Sequence, residues 1–259
     1  MKSVFVFLLC VLLVSCSSQT AESQKITDNS KVSDQPKQFV LLELFTSEGC
    51  SSCPPADKNL AFIEKEQPYM QAEVVTLAFH VDYWDYIGWK DVFSSPLYTK
   101  RQEIYSQIAK LESTYTPQMI VDGKAQFVGS DAGRAANEII LAAKEKKANV
   151  EILSENDKLK IKISDAPKHE NSTVYLAISE NNLASNVKRG ENSGRKLEHS
   201  SVVRELKALG SFSPEQNSFE IETNVNLQKD WKKEDVKYVI FVQENESRKI
   251  IGVGRINAK

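Results

Sequence analysis

The sequence predicts an α/β domain at residues 38–147, followed by a mostly antiparallel, β-sandwich-like domain at residues 148–259. In the first half, short apolar runs alternate with stretches whose apolar residues recur at helical spacing. In the second half, short alternating runs are separated by turn residues. A chain of 259 residues with 41% hydrophobic and 26% charged residues has a globular composition and is long enough for two modest domains.

The first 16 residues predict an export signal. Residues 1–3 carry a positive charge, and residues 4–14 form an apolar core that is too short to span a bilayer as a mature helix. The end of this segment, Leu13-Val14-Ser15-Cys16, resembles the bacterial lipobox, in which the cysteine is lipidated and becomes the mature N-terminus. The resemblance implies an exported, periplasm-facing lipoprotein anchored through Cys16. Because Ser17 rather than Asp follows, we expect sorting to the outer membrane.

Residues 17–37 are rich in polar and charged side chains and contain almost no apolar ones, so they predict a disordered tether. The formal net charge of −2 provides no basic surface of the kind that binds nucleic acid. No sequence feature predicts a bound cofactor. The class of partner must therefore be inferred from the motifs.

The first predicted element after the tether is a strand that leads to a closely spaced cysteine pair. Residues 39–45 are apolar except for Glu43, which is typical of a strand covered on both faces, and the next four residues favour a turn. After Cys50 and Cys53, two prolines and the helical spacing of the apolar residues behind them predict the start of a helix. The C-x-x-C pair therefore lies at a helix N-terminus.

This position predicts thiol–disulfide exchange. A helix N-terminus lowers the pKa of a cysteine from its free value of about 8.5, and the thiolate is the form that attacks disulfides. We expect Cys50 to be the exposed, attacking cysteine and Cys53 to resolve the mixed disulfide. Since Cys10 leaves with the signal and Cys16 carries lipid, no framework of structural disulfides can form. A permanent local disulfide is the alternative interpretation of the pair.

Local signals predict the later elements of the first domain. Residues 73–80 form a second strand, and a strand at residues 118–121 turns at an Asp-Gly pair into a returning strand. A last helix begins after Ser130 or Asp131. Another helix begins after Ser95, and its apolar face is predicted to consist of Leu97, Ile104, Ile108 and Leu111.

The order β-α-β-α-β-β-α, with a dithiol after the first strand and an X-Pro pair before the third, resembles the thioredoxin fold. The domain at residues 38–147 is therefore expected to be thioredoxin-like. In that fold the proline is cis and its loop lies beside the dithiol, which implies a cis bond at Thr116-Pro117. Five sequence words also resemble a family of exported thioredoxin-like proteins catalogued as a domain of unknown function: CSSCPPAD (50–57), FHVDYW (79–84), GWKD (88–91), YTPQM (115–119) and RGEN (189–192).

Several side chains are candidates for roles beside the dithiol. Glu43 is an acid in an apolar strand, so burial would raise its pKa and suit it to move protons to and from the buried thiol. The alternative is a strand-edge position facing solvent. Pro117 is a candidate for the catalytic site because of the resemblance to thioredoxins. The candidates for substrate binding, which could equally be loop packing, are Thr116, Tyr83, Trp84 and Trp89.

The second half contains short alternating apolar runs at residues 150–152, 159–163, 174–178, 219–221, 239–241 and 250–253, which predict strands. One connection, residues 187–199, is rich in charge and glycine and has no core residues. Four of its side chains form either a binding loop or a solvated surface: Arg189, Glu191, Arg195 and His199.

These features predict a cell-envelope thiol–disulfide oxidoreductase that acts on protein or small-molecule thiols and disulfides. Its partners would be thiol or disulfide proteins of the envelope. Two alternatives stay open. Cys50, Cys53 and His80 could bind Cu(I), as in thioredoxin-fold copper chaperones, because soft thiolates select that ion. The protein could also be a non-catalytic binding module in which the dithiol is incidental.

Overall fold

The computed structural model describes residues 37–258. The predicted export signal, the Cys16 anchor and nearly all of the tether lie outside the described residues. Of the helices within residues 37–258, none combines the length and the apolar character needed to cross a bilayer.

The described chain contains thirteen strands and three α-helices. The helices are α1 (Pro54–Glu66), α2 (Pro96–Ile108) and α3 (Ala132–Ala142). The strands are β1 (Gln38–Thr46), β2 (Ala72–His80), β3 (Gln118–Val121), β4 (Ala125–Val128), β5 (Asn149–Glu155), β6 (Lys158–Ser164), β7 (Ser172–Glu180), β8 (Leu183–Asn186), β9 (Lys196–His199), β10 (Val202–Phe212), β11 (Phe219–Asn224), β12 (Val236–Glu244) and β13 (Ile250–Asn257).

The prediction of two successive domains is wrong. Strands from both halves of the chain form one mixed sheet of eight strands in the order β13-β12-β7-β10-β2-β1-β3-β4. Within residues 37–258 there is therefore neither a separate α/β thioredoxin-like domain nor a separate β-sandwich. Strands β11, β6 and β5 form a smaller sheet, and β8 pairs with β9 in a hairpin.

Strand β10 joins the two halves of the large sheet. It is antiparallel to β7 along its length and parallel to β2 where Val202 lies opposite Ala78. The N–H of Ala78 donates a 2.8 Å hydrogen bond to the carbonyl of Ser201, just before β10 begins. Because β2 is buried from Val74 onward, water cannot satisfy the backbone groups on its outer edge. The pairing of β10 with β2 therefore provides hydrogen-bond partners for backbone groups of β2 that the first half of the chain does not satisfy.

The large sheet is covered on both faces. On one face, alternate residues of β1 such as Leu42 and Leu44 pack against α1 and α3, and the small sheet packs on β7 and β12 further along. The opposite face carries α2, whose Tyr98 packs edge-to-face on Phe79. The cysteine pair and α1 therefore lie on the opposite side of β1 from α2.

The predicted helix starts are confirmed by their caps. Helix α1 has Pro54 and Pro55 at its first positions, where the missing N–H groups would have no helical partner anyway. The side chains of Ser95 and Asp131 accept hydrogen bonds from backbone N–H groups in the first turns of α2 and α3.

The predicted apolar face of α2 is wrong. Leu97 and Ile108 are 51% and 45% exposed. The helix instead buries aromatic and polar side chains: Tyr98, Arg101, Gln102, Tyr105 and Ser106. The physical reason is that Glu43, a buried acid on the sheet beneath α2, requires polar partners rather than apolar ones.

Candidate functional site

Cys50 and Cys53 form a disulfide between the end of β1 and the start of α1. The backbone N–H of Cys50 donates to the carbonyl of Ser47, and that of Cys53 donates to the carbonyl of Cys50, both at 3.2 Å. Both cysteines are 0% exposed. The prediction of an exposed Cys50 is therefore wrong, because neighbouring segments cover the turn that carries it.

The start of α1 offers fewer hydrogen-bond donors than a regular helix. Cys53 is the N-cap, and the two following prolines have no N–H groups to direct at a thiolate. The hydroxyl of Ser52 lies 3.3 Å from Sγ of Cys50 and can donate to it. Ser52 is thus a site residue that the sequence analysis did not identify, although it lies between the two cysteines.

The Thr116–Pro117 peptide bond is cis, as predicted. The Ser52 hydroxyl also reaches the carbonyl of Thr116 at 3.5 Å, so the loop before β3 lies beside the disulfide. A side chain at Gly129 would approach Leu44 to 2.7 Å and Pro117 to 3.4 Å. Glycine at position 129 therefore allows β1, α1 and the cis-proline loop to meet closely.

Two of the predicted aromatic residues, Trp84 and Trp89, donate hydrogen bonds to residues beside the disulfide. Nε1 of Trp84 donates a 2.8 Å hydrogen bond to the Thr116 hydroxyl, and Nε1 of Trp89 donates a 2.6 Å bond to Glu48. Tyr83 points its hydroxyl at Gln102 of α2 at 3.1 Å. The three aromatic residues are thus tied into the structure around the disulfide.

Glu43 is not brought to the disulfide. It lies on the α2 side of β1, fully buried, where its Oε1 accepts a 2.6 Å bond from Nε of Arg101 and its Oε2 a 2.5 Å bond from Tyr105. The predicted role of Glu43 in proton transfer to the thiols is therefore not supported by its position. Burial, which dominates, and the neighbouring Glu43 charge together raise the pKa of Tyr105.

The acid nearest the pair along α1 is Asp57, one turn after Cys53. Its backbone N–H donates to the carbonyl of Cys53 at 3.1 Å, so both side chains project from the same side of the helix. Its Oδ1 accepts a 2.8 Å bond from the hydroxyl of Thr46. Burial raises the pKa of Asp57, although His80 and His199 oppose that shift.

Two buried histidines are each held by a carboxylate. Nδ1 of His80 lies 2.7 Å from Asp91, and Nε2 of His199 lies 3.1 Å from Glu48. The two rings are 5.0 Å apart between centroids. Neither Nε2 of His80 nor Nδ1 of His199 has a hydrogen-bond partner among the described residues. Glu48, Asp57, His80, Asp91 and His199 are called the acid–histidine cluster below.

The charges within this cluster shift its pKa values. Burial lowers the pKa of His80, but the carboxylates of Asp91, Asp57 and Glu48 outweigh burial and leave it above the ordinary value. Burial raises the pKa of Asp91, but His80 and backbone N–H donors leave it below the ordinary value. The cluster therefore contains groups that can hold or release a proton in a region sheltered from water.

The charged segment at residues 187–199 forms the tip and the second strand of the β8–β9 hairpin. Its tip meets the cysteine turn, where the amide of Asn192 donates to the carbonyls of Glu48 and Cys50, both at 2.9 Å. Oε2 of Glu191 accepts a 2.9 Å bond from the N–H of Ser51.

Of the four side chains predicted for this segment, Glu191 and His199 reach the site. Arg189 and Arg195 are exposed. Asn192, Asp57 and Asp91 were not identified from the sequence. All three lie in the sequence words that carried the family resemblance, which was the available signal.

The alternative metal site is not assembled. Among residues 37–258, no three His, Cys, Asp or Glu side chains are arranged to hold a metal ion. Cys50 and Cys53 are bonded to each other, and His80 is bonded to Asp91.

The sequence pattern of a family described as protein of unknown function (DUF1223) matches residues 41–243. The chain belongs to the DUF1223 family. The match includes the disulfide, the cis-proline and the β8–β9 hairpin, so the DUF1223 region contains the whole candidate site.

The DUF1223 protein is also similar to solved structures. A structural-genomics crystal structure from Agrobacterium tumefaciens is 24% identical, with a TM-score of 0.72, over 87% of this chain and 96% of that chain. It supports the fold alone. A domain of the outer membrane lipoprotein Omp28 from Porphyromonas gingivalis is 12% identical with a TM-score of 0.24, over 44% of this chain and 96% of that chain. That likeness informs neither fold nor function, and no curated protein matches the chain.

Proposed function

We propose that this protein catalyses thiol–disulfide exchange in the cell envelope through Cys50 and Cys53. One observation carries the proposal: the disulfide lies at the start of α1, beside the cis Thr116–Pro117 peptide and next to the acid–histidine cluster. A disulfide between residues three apart closes a very short loop, for which the chain-entropy stabilisation is small. A role in thiol–disulfide exchange therefore explains the position of this disulfide better than a contribution to the stability of the fold does.

The reaction proceeds in two exchange steps. A substrate thiolate attacks Sγ of Cys50, a bond forms between the two sulfurs, and the Cys50–Cys53 bond breaks with Cys53 leaving as a thiolate. A second thiolate of the same substrate then attacks the substrate sulfur of this mixed disulfide and releases Cys50 as a thiolate. The protein has gained two electrons, and the substrate dithiol has become a disulfide. The reverse sequence reduces a substrate disulfide.

Asp57 supplies the proton that the leaving Cys53 needs. Cys53 is fully buried, so water cannot protonate its thiolate directly. Burial keeps the Asp57 carboxyl protonated to higher pH than an ordinary aspartate, so it can act as a general acid one helical turn from Cys53. His80, whose pKa is held above its ordinary value by Asp91, Asp57 and Glu48, then returns a proton to Asp57 within the same cluster.

A local likeness to thioredoxins supports the proposal. The dithiol after β1 and the cis-proline before β3, with its loop beside the disulfide, are the features by which this region resembles thioredoxins. We propose a relationship to the thioredoxin superfamily for this region only, because the sheet continues for four more strands.

The predicted signal and lipobox support the location. They favour export, anchoring through Cys16 and substrates among the thiol and disulfide proteins of the envelope. The anchor would hold the site near the membrane surface, and the predicted tether would let it reach those proteins.

Exchange activity tests the proposal directly. We expect the purified protein to accelerate dithiothreitol-driven reduction of insulin or the oxidation of reduced ribonuclease. Cys50→Ala and Cys53→Ala should each abolish the acceleration. Lys58→Ala, an exposed position on α1, should leave it unchanged. Absence of acceleration by the unaltered protein in both assays would contradict the proposal.

Asp57→Asn is expected to slow reduction of the disulfide by about 100-fold at pH values where the native Asp57 is protonated, since it removes a general acid. The difference should shrink as pH rises through the raised Asp57 pKa, because the native carboxyl then loses its proton. Stopped-flow reduction by dithiothreitol across a pH series measures this profile. Glu66→Gln, on the exposed end of the same helix, is the matched control.

The Asp57→Asn change is expected to slow the reaction without lowering the free energy of unfolding. A carboxyl whose pKa is raised by folding makes the native state less stable as pH rises from the unfolded to the folded pKa. Asp57→Asn removes that loss, so the variant should be at least as stable as the parent at neutral pH. A slow variant that was also unfolded would show a structural role for Asp57 instead.

A further inference from the structure

We infer that the tip of the β8–β9 hairpin is a gate over the Cys50–Cys53 disulfide, and that Asn192 is the positioning residue that holds it closed. The tip is defined as residues 187–195. The inference rests on the proposed function, because a gate has a role only if the disulfide exchanges with a substrate.

The disulfide is closed to solvent. Cys50 and Cys53 are both 0% exposed, whereas Ser51 and Ser52 between them are exposed. An attacking thiolate must approach Sγ of Cys50 along the line of the S–S bond. Some segment beside the cysteine turn must therefore move before exchange can begin.

Asn192 is tied more tightly to the cysteine turn than any other residue of the tip. Its side chain is fully buried, and its amide donates to the carbonyls of Glu48 and Cys50, both at 2.9 Å. Its Oδ1 accepts a 2.7 Å bond from Arg195. Both amide hydrogens and the oxygen are thus used, and two of the three bonds cross from the tip to the turn.

Glu191 makes a second connection between tip and turn. Its Oε2 accepts a 2.9 Å bond from the N–H of Ser51, the residue directly after Cys50. In the closed state this N–H is occupied by a carboxylate. When the tip moves away, the Ser51 N–H becomes free to donate to a Cys50 thiolate. The movement that admits a substrate therefore also exposes a donor that stabilises the negative charge of that thiolate.

The construction of the hairpin suits it to move. Strands β8 and β9 pair only with each other and not with the eight-stranded sheet. A two-stranded hairpin has little stability alone, so its contacts decide its position. Gly190 and Gly194, with φ of 76° and 81°, lie on either side of Glu191 and Asn192. These left-handed positions allow the chain to bend on either side of Glu191 and Asn192.

The hairpin is held at its base and rests on one side. His199 at the end of β9 is bonded to Glu48 at 3.1 Å, which fixes the base. A side chain at Gly190 would lie 3.3 Å from the carbonyl of Ile87, whereas one at Gly194 would meet nothing within 4 Å among the described residues. The tip can therefore swing away from the turn while the base stays in place.

The test is the rate at which dithiothreitol reduces the disulfide in the oxidised, full-length protein. Asn192→Ala should raise this rate about tenfold, and Glu191→Ala should raise it by a smaller factor. Ser193→Ala is the matched control, because its hydroxyl bonds only to the carbonyl of Lys188 within the tip. Trypsin cleavage after Arg189 and Arg195 should also be faster in Asn192→Ala than in the control.

The equilibrium midpoint of reduction separates a gate from general loosening. A gate changes the forward and reverse rates together, so the midpoint of Asn192→Ala should stay close to that of the parent. Rates for Asn192→Ala and Glu191→Ala within twofold of the Ser193→Ala rate would overturn the inference. If Asn192→Ala does not fold, the Glu191→Ala rate decides. A parent disulfide that shows no exchange activity would contradict the proposed function instead.

Discussion

The Cys53→Ala variant is expected to accumulate covalent adducts with envelope proteins, whereas Cys50→Ala is expected to accumulate few. Ser52 can donate a hydrogen bond to a Cys50 thiolate, while Cys53 is the helix N-cap, one turn before Asp57. Cys50 should therefore carry the substrate sulfur, and Cys53 should release it. Without Cys53 the mixed disulfide persists and appears as a ladder on non-reducing gels.

The cysteine double variant is the control for this experiment, since it can form no adduct through the pair. Reduction with dithiothreitol should collapse every adduct. Equal trapping by both single variants would contradict the assignment of Cys50 as the attacking cysteine and Cys53 as the resolving one. Because both cysteines are buried, trapping should also increase when the Asn192→Ala change is added to Cys53→Ala.

Arg101→Ala is expected to lower the free energy of unfolding by about 3–5 kcal/mol, the usual effect of removing one partner of a buried ion pair. Arg101 donates to Glu43 at 2.6 Å, to Gln243 at 3.0 Å and to the Tyr105 hydroxyl at 3.1 Å, with 4% of its side chain exposed. Its loss leaves the Glu43 carboxylate buried without a counter-charge. Denaturation by urea or guanidinium measures the change.

Lys100→Ala is the matched control for this prediction. Lys100 precedes Arg101 on α2 but is 65% exposed, so its removal should change stability by less than about 0.5 kcal/mol. The double variant Glu43→Leu, Arg101→Met removes both charges and should be less destabilised than Arg101→Ala alone. A loss below about 1 kcal/mol for Arg101→Ala would show that the network contributes little.

The starts of the helices and the β3–β4 hairpin could be predicted because their signals are local. Ser95 and Asp131 cap helices through bonds within the next few residues, and the Asp122-Gly123 turn needs only the two residues with positive φ. The residues of α1 that face the sheet are likewise set by helical spacing. No distant part of the chain is required for these features.

Strand β10 could not be predicted in the same way, and its omission led to the incorrect two-domain fold. Its middle, residues 204–208, contains Arg, Glu, Leu, Lys and Ala, which all favour helix intrinsically or are depleted in strands. Only the long-range pairing with β7 and β2 makes this segment a strand. Because β10 was not predicted as a strand, no sequence feature indicated that the two halves of the chain form one sheet.

The candidate site was predictable in part. The cysteine pair and the cis-proline follow from motifs, but the direction of Glu43 does not, because β1 is buried on both faces and shows no polar alternation. Asn192 and His199 reach Glu48 across more than 140 residues of chain. Such contacts depend on the whole fold, which the sequence pattern did not reveal.

The most direct test of the account is a redox titration of the Cys50–Cys53 disulfide. The protein would be equilibrated in a series of thiol–disulfide buffers, and its free thiols would be alkylated and counted by mass. We expect a single two-electron transition with a midpoint above about −300 mV, in the range of exchanging disulfides. A disulfide that stays oxidised at potentials below about −300 mV would be structural and would contradict the account.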